Sequence, residues 1–188
     1  MNAREDGPAP AAVRRAREDG RASAAVRRAR EDGSASAVVR HARPEELPRI
    51  VELIVEHAAY EKAPAPAPGL AERLARLLFG TAPPRLRCLV AVLPDGALAG
   101  YATCAPELST WDGAEYLHMD CLYLTEASRG HGLGPLLTAA VTAEARALGL
   151  TQVQWQTPVW NEGAIRFYDR LGATSRQKRR YTLPTGPA

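Results

Sequence analysis

A glycine-rich corner between an apolar stretch and a helical stretch has the clearest chemical potential in this sequence. Arg129, Gly132 and Gly134 spell R-x-x-G-x-G at the point where a strand is expected to become a helix. Such a corner turns several backbone N–H groups toward one spot at a helix N-terminus, and the partial positive charge there binds phosphate. The spacing therefore predicts a site for a phosphate-bearing cofactor, with a glycine-rich turn that binds nothing as the alternative.

Two familiar phosphate-binding loops do not fit this corner. A nucleoside triphosphate loop needs Lys and then Ser or Thr after its last glycine, and no such Lys follows Gly134. A dinucleotide-binding loop that starts at Gly130 needs a third glycine where the chain has Pro135. Pro135 suits the first turn of a helix, because its missing N–H would have no helical partner there.

Two motifs in the expected order make the chain resemble the GCN5-related N-acetyltransferase (GNAT) family. The corner Arg129–Gly134 (R-G-H-G-L-G) resembles the family's R/Q-x-x-G-x-G/A motif, which follows an apolar strand. Downstream, Trp160–Tyr168 (W-N-E-G-A-I-R-F-Y) and Leu171–Ala173 (L-G-A) resemble its N-x-x-A-x-x-F-Y-x-x-x-G-F/A segment. The resemblance covers roughly residues 37–183. It implies an α/β (α+β) fold with a mixed, mostly antiparallel central sheet flanked by helices.

Within that family, the chain resembles the diamine (spermidine/spermine-type) and thialysine N-acetyltransferases. The tripeptide Ala59-Tyr60-Glu61 is similar to their K-Y-E, and Trp111 lies in a W-x-G loop. The segment Asp120–Leu124 (D-C-L-Y-L) is similar to their E-D-L-Y-V. Asp120 then takes the place of a substrate-facing Glu, and Cys121 departs from the Asp that follows it. The resemblance implies that four residues bind the acceptor: Tyr60, Glu61, Asp120 and Trp155. For Trp155, simple packing is an equal alternative.

Acetyl-CoA is the co-substrate that the resemblance implies, with no metal. The residues implied to bind it are Leu122, Tyr123, Leu124, Arg129, Gly130, His131, Gly132, Leu133, Gly134, Pro135, Asn161, Ala164 and Arg170. Asn161 is also a plausible helix N-cap, and that role alone would explain it. The general acid of the diamine group is a Tyr, and Tyr168 matches it; packing as a core aromatic beside Phe167 is the alternative.

The same residues make chemical sense for acyl transfer to an amine. A primary amine has a pKa of about 10, so a base must remove its proton before attack. Asp120 is the preferred carboxylate, and His118, which alternates onto the same strand face, is the reserve base. Backbone N–H groups of residues 122–124 could stabilise the oxyanion, and Tyr168 could donate to the departing thiolate. We expect direct transfer in a ternary complex, with Cys121 in the core on the opposite strand face.

The acceptor is less determined than the reaction. A polyamine site should be acidic, and Glu61 and Asp120 meet that need, with further support from Glu107, Asp112 and Glu115. However, Arg176–Tyr181 (R-Q-K-R-R-Y) places cations where the polyamine enzymes carry acids. We therefore expect a small amine, such as a diamine, a lysine-like amino acid or an amine antibiotic. The alternatives are a catalytically silent acyl-CoA-binding module and an acetyltransferase of a protein amine.

Hydrophobic periodicity and turn residues predict the elements that must position this site. Strands are expected at residues 37–42, 85–93, 98–105, 115–124, 152–157 and 174–183, and helices at 44–60, 70–79, 132–148 and 161–171. Residues 62–69 form an Ala/Pro linker between the first two helices.

A repeat of 13 residues precedes the predicted domain. It begins at Ala3, Ala16 and Ala29, and each copy has too few apolar residues to bury a core. We therefore expect residues 1–36 to be a disordered extension and residues 37–188 to be the domain, with a basic arm for nucleic acid or a partner as the less favoured interpretation.

Charge and composition bear on partners and location. Residues 1–43 hold ten Arg against six acids, whereas the rest holds fourteen basic and fifteen acidic residues, which argues against nucleic acid. The sequence contains no run of about 18 apolar residues, so no membrane span is expected. Three cysteines without C-x-x-C and a polar N-terminal stretch favour a cytoplasmic protein. We also expect the protein to be a homodimer.

Overall fold

A computed structural model describes residues 36–186 of the chain. The first two repeats and most of the third lie outside the described residues, and so does all but the last residue of the predicted disordered extension. The predicted division of the chain after residue 36 therefore stays a prediction.

The order of helices and strands broadly follows the prediction from the sequence. The elements are β1 (Val38–His41), α1 (Leu47–Tyr60), α2 (Leu70–Phe79), β2 (Arg87–Val92), β3 (Leu98–Ser109), β4 (Ala114–Leu124), α3 (Leu133–Ala147), β5 (Val153–Gln154) and α4 (Glu162–Arg170). Short 3-10 turns precede α1 at Pro44–Glu46 and α3 at Glu126–Ser128. None of the helices in this part of the chain is long and apolar enough to cross a membrane.

The five strands form one sheet in the order β1-β2-β3-β4-β5. The first four strands are antiparallel neighbours, and β5 alone runs parallel to its neighbour β4. Parallel neighbours need a crossover, and α3 provides it between β4 and β5. This mixed, mostly antiparallel sheet flanked by helices confirms the predicted fold.

Helices cover both faces of the sheet, so there are two hydrophobic clusters. One cluster packs α3 against the sheet through Leu133, Leu137 and Val141. The other packs α1 and α2 against the opposite face through Ile50, Leu53 and Leu74. All six residues of β2 are buried, as expected for a strand with helices on both sides.

The last predicted strand is wrong. Residues 174–186 form no strand, and all of them are exposed. A strand needs a partner, but β5 has only two paired residues, so it offers no ladder for the tail to extend. The tail also lacks an apolar face, because Arg176, Lys178, Arg179 and Arg180 crowd it with charge. The strand predicted at residues 152–157 is likewise shortened to the two residues of β5, whereas β3 runs four residues beyond its predicted end.

Candidate active site

The edge of β4 that faces β5 is open where the site is expected. Pairing between the two strands is confined to Leu117 with Val153 and His118 with Gln154. On its other side, β4 pairs with β3 as far as Leu124. Backbone groups of residues 119–124 on the β5 side therefore have no strand partner and are open to a ligand, apart from the Leu124 carbonyl, which accepts from Arg129. The predicted oxyanion donors at residues 122–124 lie on this stretch.

A β-bulge lies at Asp120. Cys121 pairs with Thr103 and Met119 with Cys104, so Asp120 is an extra residue with no partner of its own on β3. Bulges re-aim side chains and are common beside active sites. The Asp120 side chain is 57% exposed, which leaves it accessible to an acceptor.

The bulge also corrects the expected position of Cys121. A regular strand would place it on the face opposite Asp120. The extra residue instead shifts the alternation, so that Leu122 and Leu124 pack on the α3 side while Cys121 packs on the α1 and α2 side. Its Sγ lies 3.7 Å from Asp120 Oδ2. Burial raises the pKa of this thiol to about 11, so it is a poor nucleophile at neutral pH.

The glycine corner after β4 has the backbone geometry of an anion-binding turn. Gly130 and Gly132 have φ of 80° and 78°, a region that L side chains rarely adopt. Nothing lies within 4 Å of a Cβ built at either position, so conformation and not crowding requires glycine. The helix α3 begins at Leu133, and the first N–H groups of a helix have no helical acceptor. Those groups suit a pyrophosphate.

The next glycine in the motif has a packing role. Gly134 is buried, and a Cβ there would lie 3.2 Å from the ring of Phe167 on α4. A small residue at this position therefore lets α4 approach the start of α3. This contact brings the two sequence motifs together. His131 and Pro135 are exposed beside it, and Leu133 turns into the core.

Arg129 folds back toward the C-terminal end of α1. Its Nε donates to the carbonyl of Leu124 at 3.1 Å, and its guanidinium lies 4.4 Å from the ring centroid of Tyr60. The Tyr60 hydroxyl donates to Asn161 Oδ1 at 3.3 Å. Tyr60, which the resemblance assigns to the acceptor, thus contacts two residues assigned to the cofactor.

Asn161 caps α4 as the sequence suggests. Its side chain is buried, and Oδ1 accepts a hydrogen bond from the backbone N–H of Ala164 at 3.1 Å. Arg170 is the last residue of that helix and is exposed. Asn161 therefore lies beside Tyr60 at the start of α4, whereas Arg170 lies at the opposite end of the helix.

Tyr168 lies in an aromatic cluster beside the open edge. Its ring centroid is 4.9 Å from that of Trp155 and 5.0 Å from that of Phe167. Burial, followed by the negative charge of Glu61 and the nearby Cys121, raises the pKa of Tyr168 to about 12. The hydroxyl is consequently protonated at neutral pH, as a general acid must be.

Asp120 has an imidazole neighbour. His118 Nε2 lies 3.9 Å from Asp120 Oδ1, and His118 Nδ1 lies 3.9 Å from Glu107 Oε2. The two candidate bases, His118 and Asp120, therefore lie side by side, as expected from their positions two residues apart on one strand. Glu107 in turn accepts a hydrogen bond from the Tyr116 hydroxyl at 2.6 Å, so this acidic residue is already engaged.

His57 is a site-adjacent residue to which sequence analysis assigned no functional role. It is one turn before Glu61 on α1, and its Nε2 lies 3.4 Å from Glu61 Oε1. Its spacing matched the apolar face of α1, and its polarity was the only signal that it could do more. Among residues 36–186, no three or more potential metal ligands are grouped as a metal site would require.

The open edge of β4, the glycine corner and the capped helix α4 define an acyltransferase-type domain. The family model described as "Acetyltransferase (GNAT) family" matches residues 47–173. The chain belongs to that family, as the two sequence motifs predicted.

Similar proteins act on small amines according to their names. A thialysine N-epsilon-acetyltransferase of Caenorhabditis elegans is 29% identical over 68% of this chain and 77% of its own length. An L-ornithine N5-acetyltransferase of Arabidopsis thaliana is 31% identical over 56% of this chain and 46% of its own length. The chain thus spans less than half of the ornithine enzyme.

Solved structures share the fold at low sequence identity. A probable acetyltransferase superposes with a TM-score of 0.66 at 20% identity, covering 80% of this chain and 99% of the other. An aminoglycoside acetyltransferase from an uncultured soil metagenomic sample, in complex with sisomicin, has a TM-score of 0.64 at 18% identity and covers 80% and 97%. At such identities the likeness shows the fold alone.

Proposed function

We propose that this protein transfers an acetyl group from acetyl-CoA to a primary amine of a small molecule, directly in a ternary complex. The observation that carries the proposal is the Asp120 bulge on the open edge of β4, the strand that leads into the glycine corner. An exposed carboxylate beside this edge supports a reaction there between an amine and a thioester bound along it.

Acetyl-CoA supplies an acyl group activated as a thioester. The chain provides the matching surfaces: the N-terminus of α3 for the pyrophosphate, and the unpaired edge of β4 for the amide groups of the pantetheine arm. Asn161 borders the same region from α4, and Gly134 allows that helix to approach. These features support acetyl-CoA as the co-substrate, with its pyrophosphate bound at the glycine motif.

Asp120 would hold the ammonium group of the acceptor and take one proton from it, directly or through water. The amine nitrogen then forms a bond to the acyl carbon, while the carbon–sulfur bond breaks and its electron pair stays on sulfur. Tyr168 would donate its hydroxyl proton to that sulfur, and the second proton that the nitrogen loses on becoming an amide would return through water to the Tyr168 oxygen. Positioned acids and bases of this kind contribute about 10²- to 10⁴-fold each to a rate. His118 is the alternative base because it lies beside Asp120.

The acceptor we favour is a diamine or an amino acid with a side-chain amine. Two relatives are named for ornithine and thialysine, and both of these substrates carry an amine at the end of a short chain. Glu61 and Asp120 supply negative charge for such a cation. The basic segment at residues 176–180 is exposed and would disfavour a long polycation such as spermine, since like charges repel.

An amine panel tests this proposal. The purified protein is mixed with acetyl-CoA and, in turn, ornithine, lysine, thialysine, a diamine, spermine, an aminoglycoside and an amine-bearing peptide, and the released thiol is measured. We expect release with the small amino acids or the diamine, and at least about tenfold less with spermine, the equivalent of about 1.4 kcal/mol. Binding of acetyl-CoA without thiol release would indicate a silent binding module, and release with the peptide alone a protein acetyltransferase.

We also propose that the protein is a cytoplasmic homodimer. Cys88 and Cys104 are buried thiols, and burial raises their pKa values to about 12 and about 11. Unreactive thiols of this kind agree with a reducing compartment, and light scattering of the purified protein measures its assembly.

A further inference from the structure

His57 occupies a defined place between the hydrophobic core and the predicted acceptor site. Its side chain is only 12% exposed. One ring face stacks on Tyr123 of β4, with the ring centroids 5.1 Å apart and the planes 23° from parallel. Tyr101 of β3 meets the same ring edge-on, with centroids 6.0 Å apart. The imidazole therefore has little freedom to rotate.

Hydrogen bonding selects one tautomer of this imidazole. Nδ1 lies 3.0 Å from the hydroxyl of Tyr101, a fully buried residue. Burial and the nearby Cys121 raise the pKa of Tyr101 far above its usual range, so the hydroxyl keeps its proton. A ring nitrogen is a better acceptor for that proton than the thiol of Cys121. Acceptance by Nδ1 favours the neutral tautomer that carries its proton on Nε2.

The N–H on Nε2 faces Glu61 and not the core. The distance from Nε2 to Glu61 Oε1 is 3.4 Å, and the Glu61 side chain is 34% exposed. The charge of Glu61 also contributes to the raised pKa of Tyr168, the predicted general acid. The i, i+4 spacing of His57 and Glu61 brings the two side chains together at the end of α1.

We propose that His57 is a positioning residue, which holds the Glu61 carboxylate toward the acceptor amine through its Nε2–H while Tyr101 fixes the ring from behind. The inference rests on the proposed function, because it takes Glu61 as part of the acceptor site. It assigns a role to a residue outside both sequence motifs.

The charges around His57 determine how this arrangement responds to pH. Burial is the largest influence and lowers the pKa of His57. Glu61 on its own helix and Asp120 on β4 oppose that shift, whereas Arg129 at the corner reinforces it. The neighbouring Tyr101, Cys121 and Tyr123 have raised pKa values and stay neutral at physiological pH. The ring is therefore neutral at neutral pH and gains charge only in acid.

Protonation would undo the arrangement. A proton on Nδ1 breaks the hydrogen bond from Tyr101, and the added positive charge cancels one negative charge of the acceptor site. The pKa of His57 is lowered below its ordinary value of 6.5. The contribution of His57 to amine binding is therefore present at neutral pH and is lost as pH falls through this lowered pKa.

Steady-state kinetics on four single variants and one double variant test the proposal. His57→Leu keeps the apolar packing and removes both hydrogen bonds, and we expect the KM for the amine to rise at least about tenfold, with kcat and the KM for acetyl-CoA nearly unchanged. His57→Gln, whose amide can still donate to Glu61, should restore most of the loss. His41→Leu is the matched control, since His41 pairs with Glu144 on another part of the sheet. The fourth variant, Glu61→Gln, serves as the background in which His57→Leu should have no further effect, because the two residues act together.

The pH dependence separates positioning from mere structure. The ratio of amine KM values, His57→Leu over wild type, should be largest at about pH 8 and should shrink toward one as pH falls through the lowered pKa of His57. A ratio that is constant with pH, an unchanged KM in His57→Leu, or an equal effect of His57→Leu in the Glu61→Gln background would each overturn the proposal.

A second measurement does not depend on enzyme activity, and it remains informative if His57→Leu fails to fold. Nitrogen NMR of the wild-type protein should show the His57 proton on Nε2, and Tyr101→Phe should weaken that preference. A proton found on Nδ1 overturns the inference whether or not acetyl transfer occurs. By contrast, a wild-type protein that transfers acetyl groups to none of the amines refutes the proposed function itself.

Discussion

The proposed acid Tyr168 and the proposed base Asp120 lie on two different elements, α4 and β4. The phenol is kept protonated by burial among Trp155 and Phe167, whereas the carboxylate is exposed on a bulge. An acid and a base in such different surroundings can hold opposite protonation states at the same pH, as acyl transfer to an amine requires.

Replacing Tyr168 by Phe tests the acid directly. We expect kcat to fall by about 10²-fold, because the departing thiolate loses its proton donor. The affinity for acetyl-CoA should stay within a few-fold, since the ring remains in place. Stopped-flow detection of released thiol measures the first quantity and calorimetry the second. The control is Tyr181→Phe, which removes a hydroxyl from an exposed tyrosine. An unchanged rate in Tyr168→Phe removes this residue from the mechanism.

The raised pKa of Tyr168 bears on the same experiment. Since the hydroxyl keeps its proton up to a pKa of about 12, wild-type turnover should not decline through Tyr168 between about pH 8 and about pH 10. Sequence analysis identified Tyr168 and Asp120 by their resemblance to a motif. It could not foresee the bulge, because a bulge depends on how β4 pairs with β3, and that pairing is not encoded in either strand alone. For His57 it saw only helical spacing, since Tyr101 and Tyr123 are distant in the chain.

At the scale of elements, the strand β4, the glycine corner and the helix α3 form one unit. The helices were predicted within about three residues of their bounds, because periodicity and capping are local signals. The short β5 and the absent last strand were not foreseen, because strand pairing depends on distant partners. The short pairing of β5 is also what opens the edge of β4, so the main error in the predicted sheet lies next to the candidate site.

Gly132→Ala tests this unit against a matched control. Gly132 and Gly149 lie at opposite ends of α3 with φ of 78° and 74°, and neither has a neighbour within 4 Å of a built Cβ. Alanine at either position should therefore cost a similar free energy of unfolding, about 1–2 kcal/mol. Only Gly132→Ala should also weaken acetyl-CoA binding, by about tenfold or more, because its methyl group would enter the space of the pyrophosphate. Chemical denaturation and calorimetry measure the two effects, and equal affinities in the two variants would exclude the corner as the pyrophosphate site.

At the scale of the whole molecule, we propose that the two faces of the sheet have different tasks. The α3 face carries the predicted cofactor site, and the α1 and α2 face carries His57, Glu61 and the packing of Cys121. The bulge at Asp120 lies between them, at the point where the alternation of β4 changes face. This division explains how two substrates could meet without a covalent link to the protein.

The absence of such a link is the central claim, and a single-turnover measurement tests it most directly. The protein at high concentration is mixed with acetyl-CoA alone, and free thiol is followed before and after an accepted amine is added. We predict no thiol before the amine, and afterwards equal amounts of thiol and acetylated amine. A burst of thiol equal to the protein concentration before the amine, with an acetyl group found on Cys121, would contradict direct transfer.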